Sequence, residues 1–113
     1  PGRYYLYERA KKQVTFLFSN RKDLENQPLA NMHPFVMKAR DGLELVGYYS
    51  LPIGSDSKTK GIPDKPLPMI FTPHGGPWHR DSWGFNPWHS WLTNRGYAVM
   101  TINFRASTGF GKT

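Results

Sequence analysis

The apolar positions in the first part of the chain follow a strand-like pattern. Residues 4–7 (YYLY) and 13–18 (QVTFLF) are rich in aromatic and β-branched side chains, and they flank the charged connection 8–12 (ERAKK). This arrangement predicts a β-hairpin. Because an isolated hairpin is only marginally stable in water, we expect it to belong to a larger sheet.

A polar stretch separates this hairpin from the rest of the chain. Residues 20–31 carry few apolar side chains and are interrupted by Pro28, so we interpret them as a connector. They predict a domain boundary, with residues 1–30 in one unit and residues 31–113 in the next.

A second hairpin is predicted after the connector. Residues 35–51 (FVMKARDGLELVGYYSL) hold the pair Asp41-Gly42, a two-residue turn signal, between two apolar segments. Alternation along the second strand predicts that one face covers a core. That face carries Leu43, Leu45, Tyr49 and Leu51.

The last third of the chain has the pattern of a strand, a helix and a strand. Residues 68–72 (PMIFT) and 97–104 (YAVMTINF) are nearly continuous apolar runs, typical of strands buried on both faces of a parallel sheet. Asn86, Pro87 and Gly96 carry the signals for the N-cap, the first turn and the end of a helix. The apolar stripe expected in the core comprises Trp88, Trp91 and Leu92, with Trp83 nearby.

Composition narrows the possible functions. The chain has 113 residues, and its 15% aromatic content predicts a substantial core rather than disorder. Its charge of +7 arises from 15 Lys and Arg against 8 Asp and Glu, but the charges are mixed in sign along the chain, so no nucleic-acid partner is predicted. The absence of Cys excludes disulfides and thiolate sites. His33, His79 and His89 do not share metal-ligand spacing, and neither a metal nor another cofactor is predicted.

Membrane association is not predicted either, because no apolar stretch approaches the roughly 20 residues of a spanning helix. The start Pro1-Gly2-Arg3 does not resemble a signal peptide and lacks Met, so we expect an excerpt of a longer protein. A cytoplasmic and a periplasmic location both remain open.

Two glycine-containing turns are the main candidate for chemistry. HGGP (74–77) follows the first buried strand, and FRASTGFGKT (104–113) follows the second. Open α/β sheets bind ligands at the carboxyl ends of their strands, so both turns should face one crevice. A glycine turn there can be purely structural, or it can present backbone N–H groups to a substrate oxygen.

The order of these motifs resembles a known family. HGGP, RDSWGFNPW (80–88), NRGYAVMTINFR (94–105) and STGFGK (107–112) together resemble the start of the catalytic domain in serine peptidases of the prolyl oligopeptidase family. The similarity is strongest to the acylaminoacyl-peptidase and dipeptidyl-peptidase-like branch. It implies an incomplete α/β fold: the N-terminal part of an α/β-hydrolase sheet, preceded by a β-hairpin from the last blade of a β-propeller.

The resemblance also implies roles for individual residues. The N–H of Gly76 would donate to the oxyanion of a peptide substrate, Gly75 would stay small so that substrate can approach, and His74 would lie beside this oxyanion hole. Arg80 is expected to pair with Asp81, and Arg105 to organise the turn that follows it. Possible substrate-pocket residues are Pro77, Trp78, Arg80 and Arg105.

The nucleophile that such an enzyme needs is not in this sequence. No Ser lies in a G-x-S-x-G motif, so we expect the chain alone to be inactive, with the Ser, Asp and His triad beyond it. Ala106 also departs from the Gly that the family usually has there. Two alternatives stay open, a non-peptidase esterase and a non-catalytic interaction module. An incomplete sheet should favour self-association.

Overall fold

The computed structural model describes residues 2–58, 60–76 and 78–111. The elements are β1 (Arg3–Glu8), β2 (Gln13–Ser19), a 3-10 helix (Lys22–Leu24), β3 (Met32–Lys38), β4 (Glu44–Ser50), β5 (Met69–Phe71), α1 (Pro87–Thr93) and β6 (Ala98–Ile102).

The first predicted hairpin is confirmed. β1 and β2 pair antiparallel from Arg3 opposite Ser19 to Glu8 opposite Gln13, with a bulge after Tyr4. Aromatic cross-strand pairs support the pairing: the rings of Tyr4 and Phe18 stack with centroids 4.7 Å apart. Every residue of both strands except Ser19 is exposed within the described chain. The hairpin therefore forms a sheet of its own, separate from the sheet of the second half.

The second half forms a four-stranded mixed sheet in the order β3-β4-β6-β5. β6 is central: it pairs parallel with β5 and antiparallel with β4. The predicted strand, helix and strand unit is therefore confirmed. β6 is buried on both faces, as its apolar run predicts. β5 is a short edge strand whose Met69 and Phe71 side chains are about half exposed, so the predicted burial of that strand on both faces is wrong.

The turn between β3 and β4 is longer than predicted. Ala39 and Leu43 are joined by a backbone hydrogen bond of 2.8 Å, which closes a three-residue loop, not the two-residue loop expected from Asp41-Gly42. Gly42 adopts the left-handed φ of 86° that such loops require at their last position.

The buried face of β4 is not the one that alternation predicted. Tyr48 and Ser50 are buried, whereas Leu43, which precedes the strand, is exposed. Leu51 is buried as expected. The reason is that the second half of β4 is paired with β6 along one edge and is contacted by α1 at Ser50. These contacts, and not the alternation of apolar residues, determine which side chains of β4 are buried.

Helix α1 begins as predicted but presents an unexpected face to the sheet. The Asn86 side chain accepts hydrogen bonds from the first-turn N–H groups, and Pro87 occupies the first helical position. The buried side chains, however, are His89 and Thr93, while Trp88 and Trp91 are exposed. Trp83, also expected in the core, is exposed and donates its indole N–H to the Met32 carbonyl.

A polar contact explains this facing of the helix. The Nδ1 atom of His89 lies 3.0 Å from the Ser50 hydroxyl of β4, and Thr93 donates to the His89 carbonyl at 2.8 Å. Pairing offsets the cost of burial at Nδ1, whereas the buried Nε2 atom of His89 has no hydrogen-bond partner among the described residues. Of the predicted apolar stripe of α1, Trp88 and Trp91 are thereby left exposed, while Leu92 is half-buried.

The burial of His89 predicts a pH-dependent stability. Desolvation lowers the pKa of His89, and the nearby Asp81 carboxylate opposes this effect. The unfolded chain therefore binds a proton at His89 more tightly than the folded chain does. The free energy of unfolding keeps its full value above the unfolded pKa of about 6.5 and decreases at lower pH. We expect the thermal midpoint of the protein to drop between about pH 7.5 and pH 5.5 by more than in His89→Asn.

His79→Asn, at an exposed His, is the control for exchanging a His for Asn, and it should change the midpoint at pH 7.5 by less than His89→Asn does. A wild-type midpoint that does not change over this range, or a His89→Asn variant with an unchanged slope, would contradict the account.

Candidate functional site

The two glycine-containing turns lie against each other, as predicted from their positions after neighbouring parallel strands. The His74 ring Nε2 is 2.7 Å from the Ser107 hydroxyl, and the Thr108 N–H donates to the His79 carbonyl at 3.0 Å. Because β5 and β6 are parallel, both turns leave the sheet at one edge. The structure thus joins the loop 72–81 to the turn 104–111.

The His74 side chain is held on three sides. Its ring stacks on Phe104 with centroids 4.2 Å apart, and the edge of His79 approaches it at 5.7 Å. Its Nδ1 atom is 2.7 Å from the carbonyl oxygen of Gly75. His74 therefore contacts both turns and the loop backbone at once.

Gly75 and Gly76 have no structural reason to be glycine within the described residues. Neither adopts a positive φ, and a Cβ atom on either would meet no described atom within 4 Å. Both residues are exposed. In the part of the chain that the structure covers, no hydrogen bond occupies either amide N–H. Two free donors with open space beside them are what a site for an oxyanion needs.

The far end of the loop is anchored to the central strand by a polar cluster. The Asp81 N–H donates to the Asn103 side-chain oxygen at 2.8 Å, and the Asn103 amide donates to the Asp81 carbonyl at 3.1 Å. The Asp81 carboxylate accepts a hydrogen bond from Thr101. Asn103 and Thr101 are both 2% exposed, so this anchor is buried.

The anchor corrects the expected pairing of Arg80 with Asp81. Within the ranges described, the Asp81 carboxylate binds Thr101. The Arg80 guanidinium lies over the ring of Phe110 at 4.8 Å, and its Nε donates to the Asp81 backbone carbonyl at 3.5 Å, not to the carboxylate. The stacked arginine crosses from the loop to the turn. Arg80 therefore links the two turns through a cation–π contact, next to Gly109, where a Cβ atom would meet the guanidinium.

Arg105 also has a different partner from the one expected. Its guanidinium pairs with the Asp41 carboxylate in the β3–β4 turn, and it forms no hydrogen bond with the described residues 106–111 that follow it. The hydrogen bond from Arg105 is the main cause that lowers the pKa of Asp41. This pair lines an open cleft of about 800 Å³, together with residues that include Ser107 and Phe110.

Trp78 is the other predicted pocket residue that the structure describes, and it is not brought into this arrangement. Trp78 is 82% exposed, and Pro77 lies outside the described residues. A second cleft of about 370 Å³ lies on the loop side, lined by residues that include His74, Gly75 and Asp81.

Within residues 2–58, 60–76 and 78–111, no cluster of three or more His, Asp or Glu side chains has the arrangement of a metal site. The helices described there include none with the length and apolar character of a membrane span.

Sequence reasoning missed the anchor formed by Asp81, Thr101 and Asn103. The available signal was Asn103, a strongly polar residue directly after an apolar strand, where a buried amide must find partners. The pairing of His89 with Ser50 was not predicted either, because it depends on two residues far apart in sequence.

Comparison with known proteins relates the whole chain to peptidases. It is 48% identical over 109 residues to dipeptidyl aminopeptidase BIII of Pseudoxanthomonas mexicana, covering 96% of the chain and 16% of that protein. It is 40% identical over 126 residues to dipeptidyl peptidase family member 6 of Caenorhabditis elegans, covering 99% and 17%. The chain thus spans about a sixth of the length of these relatives. No protein-family model matches it.

A solved structure shows the same fold. Acylaminoacyl peptidase from Pyrococcus horikoshii superposes with a TM-score of 0.72 at 23% identity, over 95% of this chain and 16% of that chain. The sheet-dominated architecture described above is therefore shared with a segment of that protein.

The backbone of Ala106 gives a prediction for the second turn. Ala106 has a φ of 71°, in the left-handed region that costs a non-glycine residue about 1–2 kcal/mol. After allowing for the greater entropy of glycine in the unfolded chain, Ala106→Gly should stabilise the protein by roughly 0.5–1 kcal/mol in thermal or urea denaturation. Ala39→Gly, at a residue without a positive φ, is the control and should destabilise it. Equal destabilisation by both changes would show that Ala106 is not strained.

Proposed function

We propose that this chain forms the part of a longer enzyme that carries the loop of the oxyanion hole. The chain belongs to the prolyl oligopeptidase family of serine peptidases. The enzyme would hydrolyse short peptides or acyl-peptides by transferring the acyl group to a Ser outside this chain, and then to water. The fragment alone would be inactive, since it contains no nucleophile in a G-x-S-x-G motif.

The observation that carries this proposal is the state of the Gly75-Gly76 backbone. Its amides are exposed and lack partners among the described residues, while the loop around them is fixed at both ends by His74 and Asp81. Attack on a peptide carbonyl places negative charge on its oxygen, and preorganised N–H donors stabilise that charge. The Gly76 N–H would provide one such donor.

We assign residues 1–30 to the end of a β-propeller and residues 31–113 to the start of the α/β-hydrolase domain. Support comes from the separate two-stranded sheet of β1 and β2, which has aromatic side chains exposed on both faces. A hairpin with both faces in water would be only marginally stable, so it requires neighbouring strands. The outer strands of a propeller blade would meet that requirement.

A substrate pocket would lie between the loop and the turn. Arg80 and Arg105 flank the two turns, and the side chain of Trp78 is free to contact a bound molecule. Pro77 would follow the donor residue directly in sequence. These residues would shape the pocket, whereas Gly76 would act on the reacting carbonyl.

Removing the Gly76 N–H tests the proposed reaction. In the full-length enzyme, Gly76→Pro deletes the donor and should lower kcat for a dipeptidyl 4-nitroanilide by about 100-fold or more. Gly76→Ala keeps the N–H, and its Cβ meets no described atom, so it should lose far less activity. Equal activity of the two variants would refute a donor role for this amide.

The same assay separates the rival activity of an esterase. A peptidase should cleave the nitroanilide and an aryl ester, and both reactions should depend on Gly76. An enzyme that hydrolyses only the ester would support the esterase alternative, and complete inactivity of the wild-type protein would favour an interaction module.

A further inference from the structure

One peptide unit contains both the carbonyl that binds His74 and the amide proposed as the oxyanion donor. The Gly75 carbonyl carbon is bonded to the Gly76 nitrogen, and in a trans peptide the C=O and N–H bonds point in opposite directions. A contact that fixes the Gly75 carbonyl oxygen therefore also fixes the direction of the Gly76 N–H. The His74 Nδ1 atom makes that contact at 2.7 Å.

The hydrogen-bonding partners of His74 determine its tautomer. A carbonyl oxygen can only accept, so Nδ1 must carry the proton that it shares with Gly75. In a neutral ring, Nε2 is then an acceptor, and the Ser107 hydroxyl at 2.7 Å must donate to it. The contacts thus form a directed chain of hydrogen bonds, in which Ser107 donates to His74 and His74 donates to the Gly75 carbonyl.

Packing holds the residues of this hydrogen-bond chain in place. The His74 ring stacks on Phe104, which directly follows the strand extension at Asn103. Ser107 is 7% exposed, and its own N–H is bonded to the Phe104 carbonyl at 3.0 Å. The glycine pair has no side chains to limit rotation of its peptide plane, so its orientation depends on such an external contact.

We propose that His74 and Ser107 are positioning residues that lock the Gly75-Gly76 peptide plane, so that the Gly76 N–H is aimed before substrate binds. This inference rests on the proposed oxyanion role of Gly76. Neither ring nitrogen of His74 is left over to bind substrate in this arrangement. Ser107 acts only through His74: it selects the tautomer whose Nδ1–H reaches the Gly75 carbonyl.

The test uses the full-length enzyme, a dipeptidyl 4-nitroanilide substrate and a dipeptide boronic acid, which forms a tetrahedral anionic adduct with a catalytic Ser. His74→Phe keeps the stacking on Phe104 but removes both hydrogen bonds. We expect it to lower kcat by about 100-fold, at the lower end of the effect of losing an oxyanion donor, with KM within about twofold. Boronate affinity should fall by the same factor as kcat.

Ser107 is tested through its own variants. Ser107→Ala should lower kcat about tenfold, because only the tautomer preference is lost, and Ser107→Thr should restore activity because it retains a hydroxyl donor. In the double variant, Ser107→Ala should add nothing to His74→Phe, since its effect passes through His74. Ser55→Ala is the control: it removes a hydroxyl that donates to the Pro52 carbonyl, outside the two turns, and kcat should stay within about twofold.

Each outcome separates this inference from the proposed function. If Gly76→Pro inactivates the enzyme while His74→Phe and Ser107→Ala keep full kcat and boronate affinity, the positioning role is wrong and the oxyanion role stands. If Gly76→Pro is fully active, the oxyanion role itself fails. If the two substitutions lower kcat independently, so that their factors multiply in the double variant, then Ser107 does not act through His74 and the directed chain of hydrogen bonds is wrong. Ser107→Ala decides the matter if His74→Phe fails to fold.

Discussion

The central strand β6 is the constraint on which the rest of the structure depends. It pairs with β4 on one edge and β5 on the other, and its residues are almost entirely buried. Strand β5 is only three residues long, and its described hydrogen-bonded neighbour is β6. The loop that leaves β5 therefore takes its position from β6, through strand pairing before it and the Asn103 anchor after it. A displacement of β6 would move both turns together.

Polar contacts, together with the ring contacts of His74 and Arg80, bring the candidate site together. Asp81 and Asn103 exchange two hydrogen bonds, and Ser107 reaches the ring of His74. Such contacts are directional, so they fix the orientation of a loop as well as its location. The loop that they enclose has two glycines whose amides lack partners among the described residues and whose Cα atoms have open space beside them. Precise anchoring around an unobstructed backbone is what preorganised stabilisation of charge requires.

The sequence was sufficient to predict where the strands and the helix lie, but not which side chains they bury. The β6 run, the Asn86 cap and the meeting of the two turns follow from local pattern and from the parallel strand order. The exposure of Trp88 and the burial of His89 do not follow from local pattern, because they depend on the contact of His89 with Ser50, which is 39 residues away in sequence. Arg80 and Arg105 likewise found distant partners, Phe110 and Asp41, that no local pattern specifies. The family resemblance singled out Gly75 and Gly76, and the structure adds that neither is needed for the turn itself.

The most direct measurement is the crystal structure of the full-length enzyme with a dipeptide boronic acid bound to its catalytic Ser. The account predicts that the Gly76 nitrogen lies about 2.7–3.1 Å from a boronate oxygen, with the Gly75 carbonyl still bonded to His74. A Gly76 N–H that is turned toward a protein acceptor, with no boronate oxygen within hydrogen-bonding distance, would contradict it.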